Sequence, residues 1–212
     1  MLSGPLQAAP VDGVLYLHGF NSGSDSPKAR LMREACARIK HRGGPLPCRT
    51  PHLSHRPAEA LASAEAALAE LGDNVLLVGS SMGGFLASVL AERHALAAVL
   101  INPAVNAPRL VDAWLGMAFV NPYSGERFTI ESAHRDELKA LTPASLTPER
   151  YLLLLGSADE TLDCREAFTA YRGCRTLIEP GGDHGFSRLA AHLPAVLAHG
   201  GHVAGESLAA IQ

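Results

Sequence analysis

Three short stretches of this 212-residue chain combine a reactive side chain with glycines that permit tight turns. In Gly79-Ser80-Ser81-Met82-Gly83, glycines stand two residues to either side of Ser81, whereas Ser80 has Val78 and Met82 at those positions. Between a strand and a helix, a G-x-S-x-G run folds so sharply that side chains at the flanking positions would clash. Ser81 is therefore the expected nucleophile. A serine hydroxyl reacts poorly at neutral pH unless a base takes its proton. Gly181-Gly182-Asp183-His184-Gly185-Phe186 offers that base in His184, on a glycine-flanked loop that can reach the turn; His192, His199 and His202 lie in or beyond the next helix. The base needs an acid to fix its tautomer. Asp159, in Gly156-Ser157-Ala158-Asp159-Glu160, is expected in that role. Asp163 is the rival, in which case Asp159 would merely cap the next helix.

Acyl transfer also needs donors for the developing oxyanion. His18-Gly19-Phe20-Asn21 follows the first strong strand, and the backbone amides of Phe20 and Met82 are expected to form the oxyanion hole. His18 precedes the turn and reads as structural. Gly84 extends the small-residue run and eases packing of the helix start against the sheet.

These residues need a scaffold that presents them together. Short apolar runs at 14–17, 75–78, 98–101, 151–155 and 175–178 alternate with helical stretches at 27–40, 58–71 and 83–93. That alternation predicts an α/β architecture with a mostly parallel sheet covered by helices, its strands buried on both faces. A weaker strand is expected near 47–50. From 102 to 150 there is no convincing strand, and prolines recur at 103, 108, 122, 143 and 148. This long insertion should hold its own helices, one opened by Pro108 and carrying Leu110, Val111, Trp114 and Leu115 on one side. It reads either as a cap over the site, with Trp114 and Met117 contacting substrate, or as a helical layer packed for stability alone.

Composition narrows the function classes. The length fits one domain over residues 1–212, and 47% apolar residues can bury a sizeable core. The net charge is −3 with scattered basic residues, which argues against nucleic acid as a partner. There is no leader-like start and no run of roughly 20 apolar residues, so a soluble, cytoplasmic protein without a membrane span is expected. Four cysteines without a C-x-x-C pair read as reduced thiols. His52-x-x-His55 and His199-x-x-His202 lack further ligands at metal spacing and read as polar surface histidines. No cofactor or metal is implied.

The motifs resemble the YqiA-like family of small bacterial esterases over nearly the whole chain. The likeness runs through Tyr16-Leu17-His18-Gly19-Phe20-Asn21-Ser22, Gly79 to Gly84, Asn102-Pro103-Ala104-Val105, Asn121-Pro122-Tyr123-Ser124-Gly125, Glu131-Ser132, Asp159 to Asp163, and Gly182 to Phe186. A leading stretch of about a dozen residues and a tail from Gly200 to Gln212 look additional, and Gly185 replaces the family's usual alanine. The resemblance implies an α/β-hydrolase fold and hydrolysis of short acyl esters by a triad mapping onto Ser81, Asp159 and His184. Thioesterase activity on acyl thioesters is the alternative, and a non-catalytic binding module on the same scaffold is a third reading. The substrate in each enzymatic case is a small molecule.

Overall fold

The computed structural model describes residues 9–203. The stretches 1–8 and 204–212, which hold most of the additional segments noted in the sequence, lie outside the described residues. Six segments pair into one sheet: β1 (Gly13–Leu17), β2 (Cys48–Arg49), β3 (Val75–Ser80), β4 (Ala98–Ile101), β5 (Tyr151–Gly156) and β6 (Arg175–Glu179). Their spatial order is β2-β1-β3-β4-β5-β6, and every pairing is parallel. In register, Leu17 pairs with Gly79, Ser80 with Ile101, Ile101 with Leu154, and Gly156 with Glu179. The carboxyl ends of the strands therefore finish along one rim, where the connecting loops can share a site.

Period-two alternation divides each central strand between two apolar layers. Val14, Tyr16, Leu76, Val78, Leu152 and Leu154 face α1 (Pro27–Ala37) and α7 (Leu189–His199). Leu15, Leu17, Leu77, Leu100 and Leu153 face α2 (Pro57–Leu71) and α3 (Met82–His94). Burial on both faces explains why these strands are apolar throughout. β6 departs from that expectation: it is an edge strand, with Leu177 and Ile178 exposed at 37% and 54%.

Segment 102–150 contains α4 (Ala107–Trp114) and α5 (Ser132–Leu141), with Pro108 in the first turn of α4 as expected. It also contains an antiparallel hairpin, Ala118–Val120 with Arg127–Thr129, which the sequence did not reveal. Strands of three residues are too short to display an alternation. The turn chemistry closes the hairpin instead: Asn121 Oδ1 accepts from the amides of Tyr123 and Ser124 at 2.8 and 3.0 Å, and Gly125 takes φ 74°. Packing then sets the segment over the loop after β1. The Phe20 ring stacks on Trp114 at 5.0 Å and meets the edges of Phe119 and Phe128 at 5.2 and 5.7 Å. Asn121 Nδ2 donates to the Ser22 carbonyl at 2.9 Å, adding a polar tie.

Of the paired histidines, His52 is exposed as expected, but the other three are not simple surface residues. His202 is buried with Nε2 2.8 Å from the Val11 carbonyl, His199 bonds the Arg150 carbonyl, and His55 stacks on Phe128 at 4.3 Å. α6 (Cys164–Ala170) packs against β5, its Ala167 in the same apolar layer as α2 and α3.

Candidate active site

Ser81 sits between β3 and α3 with φ 55° and ψ −119°, a left-handed backbone that costs a non-glycine residue about 1–3 kcal/mol. Its surroundings impose that conformation. A methyl group at Gly79 would run into the Gly83 carbonyl, and one at Gly83 into the carbonyls of Leu17 and His18. Ser81 N donates to Ile101 O at 2.9 Å, and Ser81 O accepts from Gly84 and Ala104 at 2.9 and 3.0 Å. Gly84 lies against Pro103, where a Cβ would come within 2.9 Å of the proline ring. Both glycines that flank the serine are thus sterically required, as is the small residue that follows.

The three predicted side chains meet. His184 Nε2 lies 3.1 Å from Ser81 Oγ, and His184 Nδ1 lies 3.0 and 2.9 Å from the two carboxylate oxygens of Asp159. With Nδ1 facing a carboxylate, the proton belongs on Nδ1 and Nε2 is left to accept from the serine. The Asp159 side chain is 2% exposed and its Oδ1 also accepts from the amides of Thr161 and Leu162, both at 2.8 Å. Asp163 is engaged elsewhere: it caps α6 by accepting from Arg165 N and pairs with the Arg165 guanidinium at 2.7 Å. That guanidinium holds the exposed Asp163 carboxyl down at about 2. The capping role weighed for Asp159 therefore falls to Asp163.

His18 is neutral and fully occupied. Its Nδ1 donates to its neighbour's carbonyl, Gly19 O, at 2.9 Å, its Nε2 accepts from Leu53 N at 3.1 Å, and burial depresses its basicity. It fixes the loop after β1, where Gly19 passes so close to Ser81 that a Cβ there would stand 3.2 Å from the serine Cβ. The Phe20 and Met82 amides follow on the two sides of that contact.

Residues whose part in the site cannot be read from the sequence complete the frame. Asn102, itself at φ 42°, ends β4 and is buried. Its Nδ2 donates to the carbonyls of Asp183 and His184 at 2.9 and 3.1 Å, while its Oδ1 accepts from Gly156 N at 2.8 Å. One carboxamide therefore joins the acid-bearing and base-bearing loops to β4. Glu160 accepts from the His184 amide at 3.0 Å, a bond that holds its pKa below the ordinary carboxylate value. The sequence places Asn102 directly after an apolar strand and inside the family-like Asn102-Pro103-Ala104-Val105 run, but carries no sign of the bonds it makes.

Two cavities share Gly19 and Phe20, one lined by Ser81 and the other by its neighbour Met82. The smaller, about 50 Å³, lies beneath segment 102–150 between Met82, Leu86, Val111, Trp114 and Phe128. The larger, about 320 Å³, is lined by Ser81 and His184 together with Tyr16, Ser22, Lys28 and Tyr123. Trp114 thus borders the apolar cavity, but Met117 is 48% exposed and lines neither.

A sheet of this order, with a strained serine at the β3–α3 elbow and a histidine after the last strand, defines an α/β-hydrolase fold. Solved structures bear this out. Alpha/beta hydrolase domain-containing protein 10 from mouse superposes with a TM-score of 0.62 at 17% identity, covering 88% of this chain and 86% of that one. The esterase domain from a Rhodothermus marinus protein gives 0.61 at 21% identity over 93% and 88% of the two chains. Est1E from Butyrivibrio proteoclasticus gives 0.58 at 14% identity over 90% and 87%. Within that fold the chain belongs to the uncharacterised protein family UPF0227, whose pattern matches residues 13–200, in agreement with the YqiA-like resemblance of its motifs.

Proposed function

We propose that the protein is a carboxylesterase that cleaves short acyl esters through an acyl-enzyme on Ser81. The reading is carried by the hydrogen-bonded series Ser81–His184–Asp159 at a serine whose backbone is strained into the elbow. Ser81 Oγ attacks the ester carbonyl while His184 Nε2 takes its proton. Asp159 stabilises the imidazolium, and the Phe20 and Met82 amides stabilise the oxyanion. His184 then protonates the departing alcohol, and water releases the acid by the same route in reverse.

The acyl group fits the cavity on the Met82 side, whose apolar walls and small volume favour a chain of a few carbons. Segment 102–150 serves as its cap within one hydrolase domain, and Trp114 is its substrate-facing wall. That one of the fold relatives is an esterase domain favours the same chemistry. Four unpaired cysteines accord with a reducing, cytoplasmic setting. Among the described residues no helix is long and apolar enough to cross a membrane.

A fluorophosphonate probe tests the nucleophile. Labelling should map to Ser81 in the folded protein, vanish in Ser81→Ala and persist in Ser80→Ala. Unlabelled, folded wild-type protein would remove the proposal and favour a binding role for the scaffold.

A further inference from the structure

Of the two cavities, the one lined by Ser81 and His184 also holds an ammonium group, that of Lys28, and the position of His184 assigns the two cavities different parts of the substrate. The imidazole must donate a proton to the departing oxygen, so the leaving group lies on the side of the serine where His184 stands. That side is the 320 Å³ cavity. Its walls mix apolar surface with polar groups. The hydroxyl-bearing side chains of Tyr16, Ser22, Ser26 and Tyr123 line it, with Lys28 as its cation. The Ser26 hydroxyl is buried beside Tyr16 but outside hydrogen-bonding geometry, so it lacks the partner that a buried polar group requires.

Lys28 is half-buried on the first turn of α1, and its Nζ donates to the Gly185 carbonyl at 2.6 Å, beside the base-bearing loop. An ammonium group has three donors. Among the described residues no carboxylate lies within ion-pair distance of it: Asp183 accepts from the Ser187 amide at 3.0 Å, and Asp159 holds His184. Burial weakens the protonated form of Lys28, while the fields of Asp183 and Asp159 partly restore it. A second acceptor brought into the cavity would offset the desolvation of this cation.

Building on the esterase reading, we infer that the leaving alcohol carries an anionic group, carboxylate or phosphate, which Lys28 binds at the mouth of the 320 Å³ cavity. The preferred substrates are then short-chain acyl esters of acidic hydroxy compounds rather than of neutral alcohols. The apolar cavity across Gly19 and Phe20 takes the acyl chain, and the two pockets read the two halves of the ester separately.

Acetyl esters of 3-hydroxybenzoate, 3-hydroxyphenyl phosphate and 3-hydroxybenzamide test this, because they share the acyl group and differ in the charge of the leaving group. One of the anionic esters should exceed the amide in kcat/KM by about tenfold or more, chiefly through KM, as expected for a charge-assisted contact. Whichever anion is faster identifies the headgroup. In Lys28→Gln the ratio should fall to near unity, and in Lys28→Arg it should be largely retained. A ratio near unity in wild-type protein, or one that survives Lys28→Gln, overturns the inference. Calorimetry on folded Ser81→Ala separates it from the esterase reading. There, 3-hydroxybenzoate or 3-hydroxyphenyl phosphate should bind more tightly than 3-hydroxybenzamide, and Ser81→Ala/Lys28→Gln should abolish the difference. That result supports the anion site even if no ester is turned over, whereas equal binding of all three compounds counts against it whatever the turnover.

Discussion

The rim of the sheet and the segment that overhangs it are built on different principles. At the rim, main-chain constraints place the reactive groups. Glycines 79 and 83 admit no side chain, Ser81 is locked by bonds to Ile101 and Ala104, and Asn102 joins two loops through three bonds to backbone. Over the rim, segment 102–150 is seated by ring contacts among Phe20, Trp114, Phe119 and Phe128 with one polar tie from Asn121. Backbone constraints tolerate almost no substitution, whereas apolar packing of this kind can be redrawn with similar residues. On the proposed reading, chemistry is fixed by one region and the fit of the acyl group is left to the other.

Changes at the rim should be the most severe. Ser81→Ala should lower ester turnover by roughly 10⁴ to 10⁶, while Ser80→Ala, one residue back in β3, should leave most activity in folded protein. A larger loss in Ser80→Ala, measured by steady-state kinetics at matched stability, would displace Ser81 from the nucleophile's role. Asp159→Asn should cost about 10⁴ in kcat by offering the imidazole the wrong tautomer. Asp163→Asn should instead loosen the start of α6, and its effect belongs in a melting curve rather than in kcat. The reverse ranking would hand the acid role to Asp163.

A middle class of effect should come from the frame. Asn102→Ala removes bonds to Gly156, Asp183 and His184 at once, so His184 should lose its aim at Ser81 without losing its chemistry. A fall in kcat of about 10²-fold with little change in KM is expected, in line with an ångström-scale misplacement. An equal rise in KM would show that the carboxamide serves binding instead.

The smallest change in rate, and the most informative about selectivity, should come from the cap. Trp114→Ala should cost about 2 kcal/mol of stability, less than a fully buried tryptophan would. It should also move the optimum of an acyl chain-length series towards longer chains by enlarging the cavity between Met82 and Val111. An unmoved optimum would make Trp114 a packing residue for Phe20 and nothing more.

Legibility in the sequence follows the same division. Gly79, Ser81 and Gly83 could be read because sterics demand those residue types at that spacing, and the apolar strands because burial on both faces admits little else. Asp159 and Asp163 could not be separated by spacing, since either could follow β5 into the site; only the Arg165 contact shows where Asp163 is spent. The hairpin at 118–129 escaped notice because its three-residue strands carry no period. β6 looked like a core strand because its composition is apolar, although it lies at an edge where Leu177 and Ile178 meet water. Lys28 carried no motif at all. It reaches the site only because α1 begins beside the loop that bears His184.

The carboxamide of Asn102 also bears on recovery from acid. Glu160 and Asp183 steady the base-bearing loop through carboxylates whose pKa values lie below their ordinary ones. Such groups stabilise the native loop above the unfolded-state value and release it as pH falls through the lower folded-state value. Asn102 has no proton to gain over that range, so its grip on Gly156, Asp183 and His184 persists when both carboxylates have let go. A brief acid excursion should therefore silence the enzyme without erasing the arrangement, and activity should return on neutralisation at the speed of proton transfer rather than of refolding.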